Sequence, residues 1–578
     1  MQLSIYYACM QSIFDLGLPG MEFNGPRIVI IGGVAAGATA AARARRQDET
    51  ARITLIERGP YVSFANCGLP YRVSGDIQKR SSLVLQTPEG FFSRYRVDVR
   101  LRTEATTIDR KARVVKLTTT EEDGTVEQHE LPYDALILAQ GGSPIMPPIE
   151  GLDGPQVFRM WTIPDMDGVH SRIEQAAPES ALVVGGGFIG LETAEAFIKR
   201  GLSTTVVEAT PTLMPPADTE FGLRIAQSLR ASGAQVITAR TVTRLAYDTS
   251  TGRGTAHLSD GREIPADIVL VAAGVRPNTE LAQSAGLETG PSGGLVVDEQ
   301  LRTADPAILA AGDMIEVRRR VDGRQVRVPL AGPANRQGRI AAVNALGGSA
   351  RYVGALGSSV FKVMEDTFAM TGLSEKAARE AGYDTGAMIV HRGSHAGYYP
   401  GATTLSLKLV YNKANHRLLG AQAFGVEGVE KRIDVAATAL AGELTLEDIA
   451  ELDLTYAPPY SSANDPLNMA AFAALNDLSG YSPSLSADEL SAVAASPALV
   501  LDVRTYGESS KDPFDGAVVI PLDELRMRMD ELQKDARIVV LSRDGYEGHI
   551  ATRQLKLSGF EKAAYIAGGM LSLKNYIK

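Results

Sequence analysis

Two segments of the sequence repeat one plan, and this repeat narrows most what the chain can fold into. Each reads as an apolar strand, a glycine turn, an alanine-rich helix and a second strand that ends in a glutamate; the copies span residues 27–58 and 181–209. A glycine turn that opens a helix leaves backbone N–H groups at the helix N-terminus, where a pyrophosphate binds. The duplication therefore predicts an α/β protein with two dinucleotide-binding units.

The first copy departs from the dinucleotide fingerprint at one position, because Val34 stands where the middle glycine is usual. Glu57, twenty residues after the last glycine of the turn, is placed to accept hydrogen bonds from ribose hydroxyls. An ordinary glycine turn that binds no ligand is the alternative. The candidate cofactor-binding residues of this copy are Gly32, Gly33, Ala36, Gly37, Glu57 and Arg58.

The second copy fits the fingerprint fully, and Glu208 ends the strand that follows its helix. A carboxylate at that position repels a 2′-phosphate and hydrogen-bonds a free 2′-hydroxyl, so we expect NADH rather than NADPH. The candidate residues of this copy are Gly185, Gly187, Ile189, Gly190 and Glu208.

Three further segments join the two copies. Residues 137–148 and 270–278 are similar crossings that contain Ala139, Gly141 and Gly274, and residues 303–313 place Asp313 after a strand. Two nucleotide units joined in this way look like the two-dinucleotide flavoprotein plan. The likeness implies FAD on the first unit, NAD on the second, and contact between Asp313 and the ribityl chain of the flavin.

Composition excludes several classes of protein. The 578 residues carry a formal net charge of −10, which argues against nucleic acid as the main partner. No apolar run reaches 18 residues, so we expect no membrane span. Cys9 and Cys67 are too few for a disulfide scaffold, a cysteine-rich zinc site or a dithiol centre, and they favour a reducing cytoplasm. Thiol chemistry would therefore run on one sulfur per subunit, and we expect no metal site.

The segment SFANCGLPY (63–71), with GGVAAG (32–37) and TYAPPYSSANDPLN (455–468), resembles the coenzyme A-disulfide reductase branch of the pyridine nucleotide-disulfide oxidoreductases. That branch includes NADH-dependent persulfide and polysulfide reductases fused to a rhodanese domain. The resemblance implies that electrons pass from NADH through FAD to Cys67, which attacks coenzyme A disulfide, coenzyme A persulfide or polysulfide. An inert buried cysteine is the alternative.

The same resemblance implies a substrate site and a homodimer. The residues expected to line the coenzyme A channel are Thr39, Arg43, Arg46, Ser63 and Asn66. Tyr456 and Tyr460 lie in the loop from which a tyrosine reaches the active site of the other subunit and protonates the leaving thiolate. For the arginines the alternative is a solvated helix face, and for the tyrosines it is interface packing.

Two other functions remain open at this point. An NADH oxidase would use oxygen and a cysteine sulfenate, but such enzymes carry a histidine in the first glycine loop, where this chain has Ala35. A redox-sensing protein would use the C-terminal domain as a binding module.

Residues 499–508 and 516–525 resemble a rhodanese domain. Ser542 occupies the position of the catalytic cysteine, and Glu547 replaces the usual arginine of the loop. Serine cannot form a persulfide, so we expect no sulfurtransferase activity. No oxyanion motif or orienting acid supports a hydrolase built on Ser542 and His549. We expect a degenerate domain that docks, shields or presents a substrate.

The expected fold class is α/β with two Rossmann-like domains, an α+β dimerisation domain and a C-terminal rhodanese-like α/β domain. The expected boundaries are an N-terminal extension at 1–25, a FAD-binding domain at 26–145 and 276–345, an NAD-binding domain at 146–275, a dimerisation domain at 346–475, a linker at 476–486 and the rhodanese-like domain at 487–578.

Overall fold

The computed structural model describes residues 23–489, 498–574 and 576. Most of the predicted N-terminal extension, including Cys9, lies outside the described residues. The chain forms two units, the first made of Met1–Pro147, Phe158–Ala177 and Ala273–Ala355, the second of Pro148–Val157, Pro178–Ala272 and Leu356–Lys578.

A five-stranded parallel sheet forms the centre of the first unit. Its apolar strands are buried on both faces, as is usual when helices cover a parallel sheet. In spatial order the strands are Ile308–Ala310, Ala135–Leu138, Arg27–Ile31, Arg52–Ile56 and Asp98–Arg100. The helices of this unit are Ala35–Gln47, Leu69–Ser74, Pro88–Tyr95, Ile163–Ala176, Glu280–Ser284 and Ala331–Ala345, with short 3₁₀ turns at Asn66–Gly68 and Arg80–Leu83.

Smaller sheets complete this unit. Strands Thr103–Asp109, Val114–Thr120 and Val126–Pro132 form an antiparallel sheet, Gly142–Pro144 pairs with Val275–Pro277, and Val317–Arg318 pairs with Gln325–Val326. Helices Ala35–Gln47 and Ala331–Ala345 approach so closely that a Cβ on Gly338 would lie 2.1 Å from the Ala36 carbonyl oxygen. This contact fixes the start of the helix that follows the first glycine turn.

The second unit contains the other nucleotide-binding fold. Its strands, in spatial order, are Gln235–Ile237, Ser203–Val207, Ser180–Val184, Ile268–Val271 and Val157–Phe158. Helices Phe188–Lys199 and Thr219–Ala231 belong to it, and Val242–Asp248, Arg253–Leu258 and Glu263–Pro265 form a small antiparallel sheet.

An antiparallel sheet follows in the same unit, with the order Ser359–Val363, Asp366–Gly372, Leu418–Gly425, Thr404–Asn412 and Thr385–Gly393. The alternating pattern at 401–425 predicts the hairpin formed by Thr404–Asn412 and Leu418–Gly425, which the structure confirms. The helices around this sheet are Glu375–Glu380, Val429–Ala441, Leu446–Ala450 and Pro466–Leu478.

The C-terminal sheet also lies in the second unit, and its strands, in spatial order, are Ser484–Leu485, Ala563–Ile566, Arg537–Leu541, Ala498–Asp502 and Val518–Val519. All its pairings are parallel. Its helices are Tyr506–Lys511, Leu522–Arg528, Tyr546–Leu557 and Gly569–Leu573, and Met529–Glu531 is a 3₁₀ turn. Ser484–Leu485 falls within the predicted linker and contributes an edge strand. The predicted fold class is confirmed.

Across the described ranges, every helix is too short or too polar to cross a bilayer.

Candidate functional site

The first glycine turn excludes side chains at two positions. Gly32 has φ +102°, and a Cβ there would lie 2.2 Å from the Ala139 carbonyl oxygen. A Cβ on Gly37 would lie 1.8 Å from the Gly32 carbonyl oxygen. The helix that opens here, Ala35–Gln47, has no acidic residue in its first turn, so its N-terminus can accept a negatively charged ligand.

Glu57 is held against this turn by two backbone donors. Its Oε2 accepts a hydrogen bond from the Gly33 N–H at 2.8 Å, and its Oε1 accepts one from the Gly59 N–H at 2.7 Å. Each carboxylate oxygen keeps further accepting capacity for a ribose hydroxyl. Arg58, which follows, is exposed.

Asp313 lies at the carboxyl end of the same sheet. The Ala311 N–H donates to the Leu138 carbonyl, which sets the Asp313 segment beside Ala139 and Gly141. Burial raises the pKa of Asp313 to about 6, while the charge of Arg327 opposes this rise. A half-buried carboxyl at the edge of the sheet fits a polyol hydroxyl as partner, and together with the glycine turn and Glu57 it makes a site that suits FAD.

The second glycine turn repeats this arrangement in the other unit. A Cβ on Gly190 would lie 2.0 Å from the Gly185 carbonyl oxygen, whereas a Cβ on Gly187 would meet no atom within 4 Å. The protein's own packing therefore does not require glycine at 187, and the open space suits a dinucleotide. Ile189 follows within the first turn of helix Phe188–Lys199.

Glu208 copies the role of Glu57. Its Oε2 accepts from the Gly186 N–H at 2.7 Å, and its Oε1 accepts from the Thr210 N–H at 2.7 Å. Both donors hold the carboxylate beside the turn, where it can accept hydrogen bonds from a ribose hydroxyl.

The loop after Glu208 covers the second turn, and sequence reasoning missed it. The Met214 N–H donates to the Gly186 carbonyl at 2.8 Å, and Leu213 and Met214 are fully buried. Met214 has φ +54°, a strained conformation for a residue other than glycine. Its only sequence signal is its place directly after the acidic strand end.

The segment that carries Cys67 is attached to the first glycine turn. The Ser63 N–H donates to the Gly33 carbonyl at 2.8 Å, and Ser63 has φ +47°. Cys67 lies on the 3₁₀ turn Asn66–Gly68 and is exposed. Asn66 Oδ1 accepts from the Cys67 N–H at 3.0 Å and lies 3.7 Å from Sγ. An exposed thiol thus sits four residues from a direct contact with the predicted flavin turn.

The arginines of helix Ala35–Gln47 differ in role. Arg43 is half-buried, and Arg46 is exposed with its guanidinium over the Tyr95 ring. Arg45 is buried and donates to the backbone carbonyls of Tyr95, Asp48, Glu49, Ala51 and Arg96, which makes it structural. Thr39 donates to Asn335 Oδ1 at 2.6 Å.

In the second unit, the predicted tyrosine loop meets a segment that sequence reasoning missed. The hydroxyls of Tyr456 and Tyr398 lie 2.9 Å apart, and this hydrogen bond raises the pKa of Tyr398. Tyr398, Tyr460 and Tyr456 are 76%, 72% and 46% exposed, an unusual exposure for neighbouring aromatic rings. Within the described part of the chain, the Tyr460 hydroxyl makes no hydrogen bond to this pair, so the geometry favours Tyr456 as the acid.

One buried ion pair holds both tyrosine segments. Arg432 and Asp465 are 1% and 2% exposed and lie 3.1 Å apart. Arg432 also donates to the Ser394 carbonyl at 2.9 Å and to Ser461 Oγ at 3.2 Å. Ser394 begins the segment that carries Tyr398, and Ser461 ends the loop that carries Tyr456.

The rhodanese-like loop does not offer a nucleophile. Ser542 is 1% exposed, and its hydroxyl accepts from the Gly545 N–H at 3.1 Å. Burial raises the pKa of Glu547, and Glu508 and Asp544 add to this rise while Arg543 opposes it, so a carboxyl with acidic neighbours stands where a rhodanese loop carries an arginine. The His549 ring packs edge-on against Tyr565, with ring centres 6.1 Å apart.

Comparisons with known proteins agree with this geometry. Residues 26–338 match the model of the pyridine nucleotide-disulphide oxidoreductases, residues 359–466 that family's dimerisation domain, and residues 486–576 the rhodanese-like domain. An NAD(P)H sulfur oxidoreductase (CoA-dependent) of Pyrococcus abyssi is 35% identical over 77% of this chain and 97% of its own.

Two solved structures cover nearly all of the chain. Reduced CoADR-RHD of Bacillus anthracis is 38% identical with a TM-score of 0.91, over 96% of this chain and 98% of its own. An NAD-dependent persulfide reductase from A. fulgidus is 38% identical with a TM-score of 0.89, over 94% and 99%. Water-forming NADH oxidase is a weaker match. The resemblance drawn from the cysteine segment is confirmed: the chain belongs to the pyridine nucleotide-disulphide oxidoreductase family, whose enzymes work with FAD and NAD(P)H.

Proposed function

We propose that this protein uses NADH to reduce coenzyme A disulfide, coenzyme A persulfide or polysulfide at Cys67. The observation that carries the proposal is the exposed Cys67 on a segment hydrogen-bonded to the first glycine turn through Ser63 and Gly33. The names of the matched sulfur and persulfide reductases support the same chemistry.

The cofactors occupy the two glycine turns in this proposal. FAD, held by the first turn with Glu57 and Asp313, would supply two-electron transfer between the nicotinamide and the thiol. Glu208 selects NADH, because its fixed carboxylate repels the 2′-phosphate of NADPH. The crossing residues Ala139, Gly141 and Gly274 complete the cofactor-binding set.

The chain's own residues perform the sulfur step. The Cys67 thiolate attacks one sulfur of the substrate S–S bond, forms a mixed disulfide and expels the other sulfur as a thiolate. We assign the coenzyme A channel to Thr39, Arg43, Arg46, Ser63 and Asn66, where the arginines pair with phosphate groups.

A second copy of the chain would supply the acid. Tyr456, hydrogen-bonded to Tyr398, protonates the expelled thiolate across a homodimer interface. The exposed tyrosine patch on a matched dimerisation domain supports this arrangement, since a partner subunit would cover it. We also propose a cytoplasmic location, which the small number of cysteines supports.

The decisive experiment compares Cys67→Ser with Cys9→Ser as a matched control, using the purified holoenzyme. Cys67→Ser should retain FAD but lose NADH oxidation driven by each of the three sulfur substrates, whereas Cys9→Ser should keep the wild-type rate. Undiminished turnover by Cys67→Ser would rule out the proposed chemistry.

Oxygen consumption measured in parallel tests the NADH oxidase alternative. That alternative predicts that oxygen uptake accounts for NADH loss at a rate equal to that with the best sulfur substrate. We expect oxygen uptake to be a minor side reaction.

The tyrosine assignment has its own test. Tyr456→Phe should lower kcat by roughly 10²-fold, in the range of a lost general acid. Tyr460→Phe is the matched control and should stay near wild type; equal losses in both variants would mean that the loop acts only by packing.

A further inference from the structure

The buried ammonium group of Lys408 forms ion pairs with three carboxylates from two parts of the second unit. Lys408 Nζ lies 3.0 Å from Asp218, 2.6 Å from Glu220 and 2.7 Å from Glu375. Burial alone would lower the pKa of Lys408, but these carboxylates together raise it, so the group stays charged. Because the cluster is buried, each charged group needs its partners in place, since a buried charge left unpaired is strongly destabilising.

The C-terminal domain reaches into this cluster through Tyr576. The Tyr576 hydroxyl donates to Glu220 Oε2 at 3.2 Å. Glu220 is in the first turn of helix Thr219–Ala231, and its other oxygen accepts from Lys408.

A second series of polar contacts also links helix Thr219–Ala231 to the C-terminal domain. The Arg224 guanidinium donates to the Ser406 hydroxyl, which lies 2.7 Å from His391 Nδ1. His391 Nε2 lies 2.9 Å from the Ser572 hydroxyl of the C-terminal domain. The His391 ring is fully buried, and its two nitrogens join the antiparallel sheet to the C-terminal domain.

The two series of contacts reach the same face of helix Thr219–Ala231. Glu220 and Arg224 are four residues apart on helix Thr219–Ala231, as are Ser572 and Tyr576 at the C-terminus of the chain. The C-terminal domain therefore contacts this helix directly through Tyr576 and, one helical turn along, indirectly from Ser572 through His391 and Ser406.

The loop that covers the second glycine turn ends where helix Thr219–Ala231 begins. Asp218 immediately precedes the helix, and Gln422 both donates to its carboxylate at 2.7 Å and accepts from its N–H at 2.8 Å. Four residues before Asp218, Met214 donates to Gly186. The loop is thus fixed at one end by Glu208 and at the other by the buried cluster.

We propose that the C-terminal domain is a positioning element for the NADH site: Ser572 and Tyr576 brace helix Thr219–Ala231 and so hold loop 209–218 closed over Gly186. This role needs neither a catalytic cysteine in that domain nor any particular sulfur acceptor. A preformed loop lowers the ordering cost of nucleotide binding, so the brace acts on NADH affinity rather than on chemistry. The Pyrococcus abyssi relative matches only 77% of this chain while covering 97% of its own, so the brace is not a general requirement of the family.

The test uses full-length holoenzyme carrying Ser572→Ala, Tyr576→Phe or both. NADH dissociation constants come from nucleotide fluorescence, and kcat and KM come from NADH oxidation with ferricyanide, which does not depend on the proposed sulfur reaction. We expect KM and Kd for NADH to rise about threefold for each lost hydrogen bond and roughly tenfold in the double variant, with kcat within about twofold.

Tyr546→Phe is the matched control. Tyr546 also lies in the C-terminal domain, where its ring contacts Arg392; among the described residues, its hydroxyl makes no hydrogen bond to helix Thr219–Ala231. It should leave NADH affinity unchanged.

An unchanged Kd in the double variant, together with a lowered melting temperature, would overturn the proposal and reduce the domain to packing. Should the double variant fail to keep FAD, Tyr576→Phe alone decides, because Glu220 remains paired with Lys408 when that hydroxyl is lost. Wild-type affinity in that variant would also overturn the brace.

Discussion

Replacing Arg432 with Met should weaken the second unit and separate the tyrosine pair. The guanidinium donates to Asp465, to the Ser394 and Gly428 carbonyls and to Ser461, and it is 1% exposed. Methionine is close in volume but supplies no donor, so the Asp465 carboxylate loses its cation while it stays buried.

The structure sets the expected size of the loss. Breaking a buried pair by removing one partner costs about 3–5 kcal/mol. Two donors remain on Asp465 after the change, the Ser461 hydroxyl at 2.8 Å and the Leu467 N–H at 3.1 Å. They place the loss near the lower end, about 3 kcal/mol, which corresponds to a fall in melting temperature of roughly 4 °C for a unit of about 330 residues.

The assay follows thermal unfolding of Arg432→Met, Asp465→Asn and the double variant. Because neutralising both side chains leaves no buried unpaired charge, the double variant should lose less free energy of unfolding than the sum of the two single losses. Sulfur-substrate turnover should fall with stability in Arg432→Met, since Ser394 and Ser461 position the segments of Tyr398 and Tyr456. A loss below about 1 kcal/mol in Arg432→Met, or strict additivity, would refute this reasoning.

Gly37→Ala should purify with little flavin, since its Cβ would lie 1.8 Å from the Gly32 carbonyl oxygen; a normal flavin absorbance spectrum would contradict this. Burial lowers the pKa of His391 well below its usual value, so the unfolded chain binds a proton near pH 6.5 that the folded chain does not. Stability should therefore fall as pH drops below about 6.5, and His391→Asn should show a flatter dependence of denaturation midpoint on pH between about 7.5 and 5.5. Ser542→Cys should not gain thiosulfate sulfurtransferase activity, because Glu547 and its acidic neighbours disfavour an anionic donor; activity in that single variant would show that only the thiol was missing.

Features set by short stretches of chain could be read from the sequence. Glycine positions 32, 37, 185 and 190 follow from backbone contacts within a strand–turn–helix unit, and the positions of Glu57 and Glu208 follow from the fixed length of that unit. The hairpin at 401–425 is likewise a local pattern.

Features that depend on contacts between residues far apart in the chain could not be predicted from the sequence. Tyr398 lies 58 residues before Tyr456, and no local pattern links them; only the fold brings the two hydroxyls together. The three arginines at 43, 45 and 46 are alike in sequence, but successive helix residues point about 100° apart, so Arg45 faces inward toward backbone carbonyls while Arg46 faces solvent. The partners of Glu220 and Arg224 come from two distant regions, strand Thr404–Asn412 and the segment around Tyr576, and no spacing rule anticipates this.

The edge strand Ser484–Leu485 protects the C-terminal domain against aggregation. It pairs with Ala563–Ile566, an apolar strand that would otherwise present a row of unsatisfied N–H and C=O groups. Such an edge is a template for other chains, and natural sheets cover it to prevent aggregation. Loss of this two-residue strand would uncover that edge and leave the domain prone to self-association.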